Sequence, residues 1–186
     1  MYVYLVFSKT GTLLSRALRM CLRTKYPHVS ISLDENLTQM YSFGRIQPNN
    51  PLSGGFVQES FDSGVFQKFR HCECAVYRME ISESQYQSLV QELARFLARR
   101  DHYKYNILGL FAAGMGVPLK RRNRYFCSQF VSELLMRSSI LSSETPPELL
   151  RPTDLMRLVP KEIVFEGLTA AYRPQDSPSM DRNLPM

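Results

Sequence analysis

Residues 28–33 read His-Val-Ser-Ile-Ser-Leu. Side chains along a strand point to opposite faces in turn, so Val29, Ile31 and Leu33 share one face, with His28, Ser30 and Ser32 on the other. A strand this strictly two-sided commits the chain to a sheet with one face on a core. It also sets a histidine on the polar side, beside serines small enough to leave it room. Tyr26-Pro27 ends whatever precedes it. Asp34-Glu35-Asn36 turns the chain, and residues 37–43 return as a second strand, completing a hairpin. The neighbour of His28 then depends on register. A two-residue turn puts Gln39 and Tyr41 on the histidine's face; a three-residue loop puts Ser42 there.

Other segments surround this hairpin. The run Tyr-Val-Tyr-Leu-Val-Phe at residues 2–7 reads as a buried strand. Leu13, Leu14, Ala17, Leu18, Cys21 and Leu22 repeat at helical spacing. Residues 44–70 form a long loop with short strand-like pieces, among them residues 56–60, and loops of that length are binding or lid segments or surface meanders. Cys72 and Cys74 share one face of a strand over residues 71–81. With no second Cys-x-Cys or zinc-spaced His pair, they read as core residues, and no metal or cofactor is expected. Ser82 and Gln85 make a capping-box start for a helix whose apolar face is Tyr86, Leu89, Val90, Leu93, Phe96 and Leu97. A short apolar helix over 107–113, another short helix over 152–158 and a last strand over 162–166 follow. From residue 172 the chain is polar and proline-rich and reads as a disordered tail. With 186 residues, 44% hydrophobic, the expectation is one domain over 1–171 and a tail over 172–186.

The net charge is +6. Anionic partners suit it, but no nucleic-acid signature accompanies it. The cations gather at Lys120, Arg121, Arg122 and Arg124, which read as a solvated loop tuning a neighbouring thiol, with weak contact to anionic surfaces as an alternative. The first apolar run is too short for a signal peptide or a membrane span, so the expected compartment is the cytoplasm. Four cysteines, irregularly spaced, make no disulfide framework.

The thiol in question is Cys127, within Tyr-Phe-Cys-Ser-Gln-Phe-Val at residues 125–131. Phe130, Val131, Leu134 and Leu135 fall at helical spacing, which sets Cys127 on a helix's first turn. Free N–H groups and the positive end of the helix dipole favour a thiolate there. Cysteine chemistry needs that thiolate, a base that can return the proton, and a group to orient the base. Cys127 and His28 supply the first two, and Gln39 or Ser42 the third. A buried, inert cysteine on a core helix is the plain alternative.

The segment at 125–135 resembles the nucleophile helix of the NlpC-type papain-like superfamily. The order, histidine strand first and cysteine helix last, is similar to its circularly permuted branch, which includes YiiX-like bacterial hydrolases and the lecithin:retinol acyltransferase group. The hairpin beginning at His28, residues 103–109 and Pro152-Thr153-Asp154-Leu155 fit the same pattern. The resemblance implies an α+β fold: an antiparallel, partly barrel-like sheet with the cysteine helix packed on it. It implies a thiol hydrolase (peptidase or amidase) or acyltransferase acting on a peptide-like or acyl-bearing small substrate. In that family the third residue follows the histidine by about a dozen positions. A gap-free count lands on Met40, which cannot orient a ring, and a one-residue shift gives Gln39. Tyr125, Tyr41 and Ser42 are then expected to line the cleft. A binding protein that kept the fold without the chemistry is the other class.

Overall fold

The computed structural model describes residues 1–10, 24–47, 50, 53–69, 71–158 and 160–174. The expected helix carrying Cys21 lies outside the described residues. Six strands form one antiparallel sheet: β1 (Tyr2–Lys9), β2 (His28–Ser32), β3 (Met40–Arg45), β4 (Gly54–Glu59), β5 (Glu73–Glu80) and β8 (Glu162–Leu168), in the spatial order β4-β3-β2-β1-β5-β8. The first four are a simple meander. The chain then crosses to pair β5 with the free side of β1. The sheet is open, with β4 and β8 at its edges, where a partly closed barrel was expected.

β1 is central and buried on both faces, which is why it reads as a continuous apolar run. Val3, Leu5 and Phe7 join the larger core with Val29, Ile31, Phe43 and Phe56. Tyr4 and Val6 join a smaller core on the other face with Met40, Phe66, Cys72 and Cys74. Both strand cysteines are thus core residues, as expected. Burial pushes the Cys72 thiol to about 11 and that of Cys74 to about 12. Among the described residues no cluster of three or more His, Cys, Asp or Glu could hold a metal ion. Nor is any helix there long and apolar enough to cross a membrane.

Among the described residues five α-helices occur, in chain order α1 (Gly64–Lys68), α2 (Glu83–Ala98), α3 (Ile107–Gly114), α4 (Cys127–Arg137) and α5 (Pro152–Leu158). Helix α2 starts with the expected capping box: Gln85 N donates to Ser82 Oγ at 3.2 Å and Ser82 N to Gln85 Oε1 at 3.0 Å. Helix α4 lies across β2 and β3 and against α2, and its residues from Cys127 to Leu135 are all buried. Arg137 ties the two helices by reaching both Glu133 and Glu92, which keeps those buried carboxylates paired. Phe130 meets Phe43, Phe56 and Phe96 with ring centroids 4.9–5.6 Å apart, mostly edge to face.

A second, two-stranded parallel sheet joins β6 (Lys104–Tyr105) to β7 (Arg124–Tyr125). It directs the chain into α4. Asn106 follows β6 and caps α3 through Gly109 N at 3.1 Å. A Cβ on Gly109 would lie 2.1 Å from Asn106 Nδ2, so the cap requires glycine there. The packed chain also runs past the expected boundary at 171. Tyr172 is buried, touches Phe61 and Phe165, and donates its hydroxyl to the Glu35 carbonyl at 2.7 Å.

Phe130→Ala should cost about 3–5 kcal/mol through the lost contacts and the void left behind. Ser82→Ala should cost about 1 kcal/mol. Urea unfolding of the two variants measures both.

Candidate active site

His28 is the first residue of β2, directly after Pro27, and Cys127 is the first residue of α4. Phe126, at the N-cap, is extended (φ −110°, ψ 168°) and brings the chain onto the helix from the β7 side. The two ends meet. Cys127 Sγ lies 3.8 Å from the carbonyl oxygen of Pro27, the residue before His28, and the interaction of the sulfur with the His28 ring helps to raise the ring's pKa. Ninety-nine positions of chain separate these residues, and the packing of α4 on β2 closes the distance.

The third partner is Glu59, the last residue of edge strand β4. Its Oε2 and Oε1 lie 3.0 and 3.2 Å from His28 Nε2. Ser30 donates to Glu59 Oε2 at 2.7 Å and sits 3.3 Å from the same ring nitrogen. Gly44 makes space for the pair. A Cβ there would lie 3.2 Å from Glu59 Oε1 and 3.5 Å from His28 Cε1. With Nε2 donating to the carboxylate, Nδ1 is the nitrogen left to serve the sulfur.

Burial works against a charged ring at His28. The Glu59 charge and hydrogen bonds with Cys127 and Glu59 outweigh it and hold the imidazolium well above its ordinary value of 6.5. Burial likewise opposes an ionised Glu59, yet the His28 charge and the His28 and Ser30 hydrogen bonds hold its carboxyl below 4.5. Tyr105 on β6 is close to both ends of the constellation. Its phenol is pushed well up, first by burial and then by the charges of Cys127 and Glu59.

Only two of the six predicted site residues come together, Cys127 and His28. Ser42 does lie on the histidine's face of the hairpin, since Ser32 pairs with Met40, but its hydroxyl donates to the Val29 carbonyl at 2.7 Å. Gln39 is not beside His28. It is exposed at the hairpin's far end, where its Oε1 accepts from the Tyr41 hydroxyl at 2.7 Å. Tyr41 stacks on Phe56 in the larger core. Tyr125 packs among Phe43, Phe96 and Tyr103, and its hydroxyl faces Glu133 at 3.5 Å. Neither tyrosine lines the His28–Cys127 pair.

Comparisons with protein-family models, with curated proteins and with solved structures return no match. The geometry therefore stands on its own. Solvent meets the pair at the imidazole: 19% of the His28 side chain is exposed, against 3% for Cys127. A cavity of about 520 Å³ runs along β4 and reaches Glu59, between Val57, Phe66 and Arg100. It touches neither His28 nor Cys127. Residues 55–59, Gly-Phe-Val-Gln-Glu, do not alternate apolar with polar, so the sequence carries no clear signal for Glu59.

The sign of the pH dependence follows from the two shifts. His28, raised on folding, adds its full stability below 6.5 and loses it as pH climbs through its folded value. Glu59, lowered on folding, adds its full stability above 4.5 and loses it as pH falls through its folded value. Both contribute fully only between 4.5 and 6.5. Glu59→Gln should therefore destabilise most in that interval, by about 3–5 kcal/mol, and least at alkaline pH. Urea unfolding across pH, with NMR titration of the His28 ring falling toward or below its ordinary value, checks this.

Proposed function

We propose that this protein is a cysteine-dependent hydrolase or acyltransferase acting on an amide or ester carbonyl through an acyl-thioester on Cys127. The observation that carries the reading is the His28–Glu59 pair at the start of β2, with a helix-start sulfur 3.8 Å from the carbonyl oxygen of the preceding residue. The thiolate form of Cys127 attacks the carbonyl carbon, forming the C–S bond, while the raised His28 ring carries the proton. First-turn N–H groups of α4 have no partner inside the helix, and they suit the developing oxyanion. The leaving amine or alcohol departs with the proton from His28. Water then attacks the thioester, His28 takes its proton, and the C–S bond breaks; an amine or alcohol acceptor in place of water gives acyl transfer.

In this scheme Glu59 does the work first expected of Gln39, fixing the ring's tautomer and supporting its charge. The substrate is a peptide-like or acyl-bearing molecule. No cofactor enters any step. The same proposal assigns the α+β architecture to the permuted papain-like fold, with an open sheet. One observation favours a second reading, a binding protein that keeps the constellation without turnover: the sulfur itself is almost wholly covered.

Labelling separates the two. Iodoacetamide at neutral pH should modify Cys127 far faster than Cys72 or Cys74, whose thiols burial holds protonated. His28→Ala should slow Cys127 labelling by about 100-fold. Acyl and peptide-like electrophilic probes should leave an adduct on Cys127 visible by mass spectrometry. Labelling of Cys127 no faster than that of the two strand cysteines would favour the binding protein.

A further inference from the structure

Six of the twelve large apolar side chains that stand exposed among the described residues fall within residues 107–119: Ile107, Leu108, Phe111, Met115, Val117 and Leu119. They occupy α3 and the loop after it. The other side of α3 is already used: Leu110 and Ala113 pack on Phe126. The helix is therefore apolar on its covered side and on its open side. Scattered exposed apolar residues are ordinary, but a continuous patch of this kind marks an interaction surface.

The charges carried by this stretch of chain have one sign, although Glu148 approaches Lys120 and Asp154 lies beside the end of α3. Between Asp101 and Glu133 the chain has no acidic residue, and it carries Lys104, Lys120, Arg121, Arg122 and Arg124. Lys104, Lys120 and Arg122 are exposed. Lys120 lies 3.6 Å from Glu148 with 74% of its side chain open to solvent; Lys104, Arg121, Arg122 and Arg124 form no ion pair among the described residues. Exposed apolar side chains on a stretch whose own charges are all cations match an anionic bilayer, whose headgroups attract the cations while the acyl boundary takes up the apolar face.

We propose that α3 and residues 115–122 form a membrane-docking surface for anionic lipid bilayers. This goes beyond the thiol chemistry and does not depend on it, so Cys127→Ala should bind as the unaltered chain does. The basic run, read from sequence as a loop that tunes the thiol, is on this view the charged edge of that surface.

Co-sedimentation of the full chain with phosphatidylcholine vesicles holding about 30% phosphatidylserine tests it. Binding is expected to those vesicles and not to phosphatidylcholine alone, and to weaken at least about tenfold between about 0.05 and 0.5 M salt. Leu108→Asp with Phe111→Asp should abolish it without changing the thermal unfolding, since both side chains are more than half exposed. Should that variant misfold, Lys104→Glu with Arg122→Glu gives the same reading through charge alone. Equal binding to both vesicle types, or none to either, overturns the proposal. So does a concentration-dependent dimer without vesicles that Leu108→Asp with Phe111→Asp dissolves, which would assign the patch to a second copy of the chain.

Discussion

An imidazolium and a carboxylate, both largely withdrawn from water, cannot each be left without a counter-charge. Removing such ions from solvent costs several kcal/mol apiece unless geometry and further hydrogen bonds compensate. His28 and Glu59 meet that demand in each other, with Ser30 donating to the carboxylate as a third member. The demand reaches into the fold. One strand, β3, must intervene in the right register for β2 to face the end of β4, and a side chain at Gly44 would crowd the pair. A one-residue slip of β3 or β4 would turn the polar face into the core and separate the charges. The ion pair and the alternation of the strands thus enforce the same register.

The sulfur is held by packing rather than by charge. Helix α4 is buried along nearly its whole length between the sheet and α2. Phe130 is locked into an aromatic cluster that also includes Phe43 of β3 and Phe56 of β4. A close-packed element has little freedom to shift. The first residue of α4 is therefore fixed against the first residue of β2 by contacts made one turn deeper. This explains how a constellation drawn from three distant segments can keep its geometry without a covalent link.

Much of this was legible in the residues, because period is a local property. The hairpin beginning at His28, the capping box at Ser82 and the first-turn place of Cys127 each follow from spacing within a few residues. Glu59 was not legible for a physical reason. Its partner is 31 positions away on a strand two places over, and strand order and register are set by tertiary packing, which a loop of Asn, Pro and Gly does not encode. Gln39 was attractive because it is near His28 in sequence. The connection between β2 and β3 is longer than a tight turn, with Leu37 at φ 54°, and it carries Gln39 to the far end of the hairpin. Tyr41 lies in the larger core and Tyr125 packs against it, and aromatic rings beside a cysteine motif look alike in sequence whether they fill a core or line a cleft.

The exposed face of α3 shows the converse limit. In sequence, a short apolar helix reads as a buried one, since nothing in its composition distinguishes a covered face from an open one. Only the neighbours decide. Here Phe126 and the start of α4 occupy one side, and Leu108 and Phe111 stay more than half exposed. The cations that follow looked like part of the thiol's environment because they precede it along the chain. Lys120 and Arg122 instead point into solvent, on the stretch that carries the exposed apolar residues. The β6–β7 ladder lies between the two segments. It joins the apolar helix to the approach to Cys127 by two residues from each strand, so the surface of α3 can be altered while α4 and its sulfur stay seated in the core.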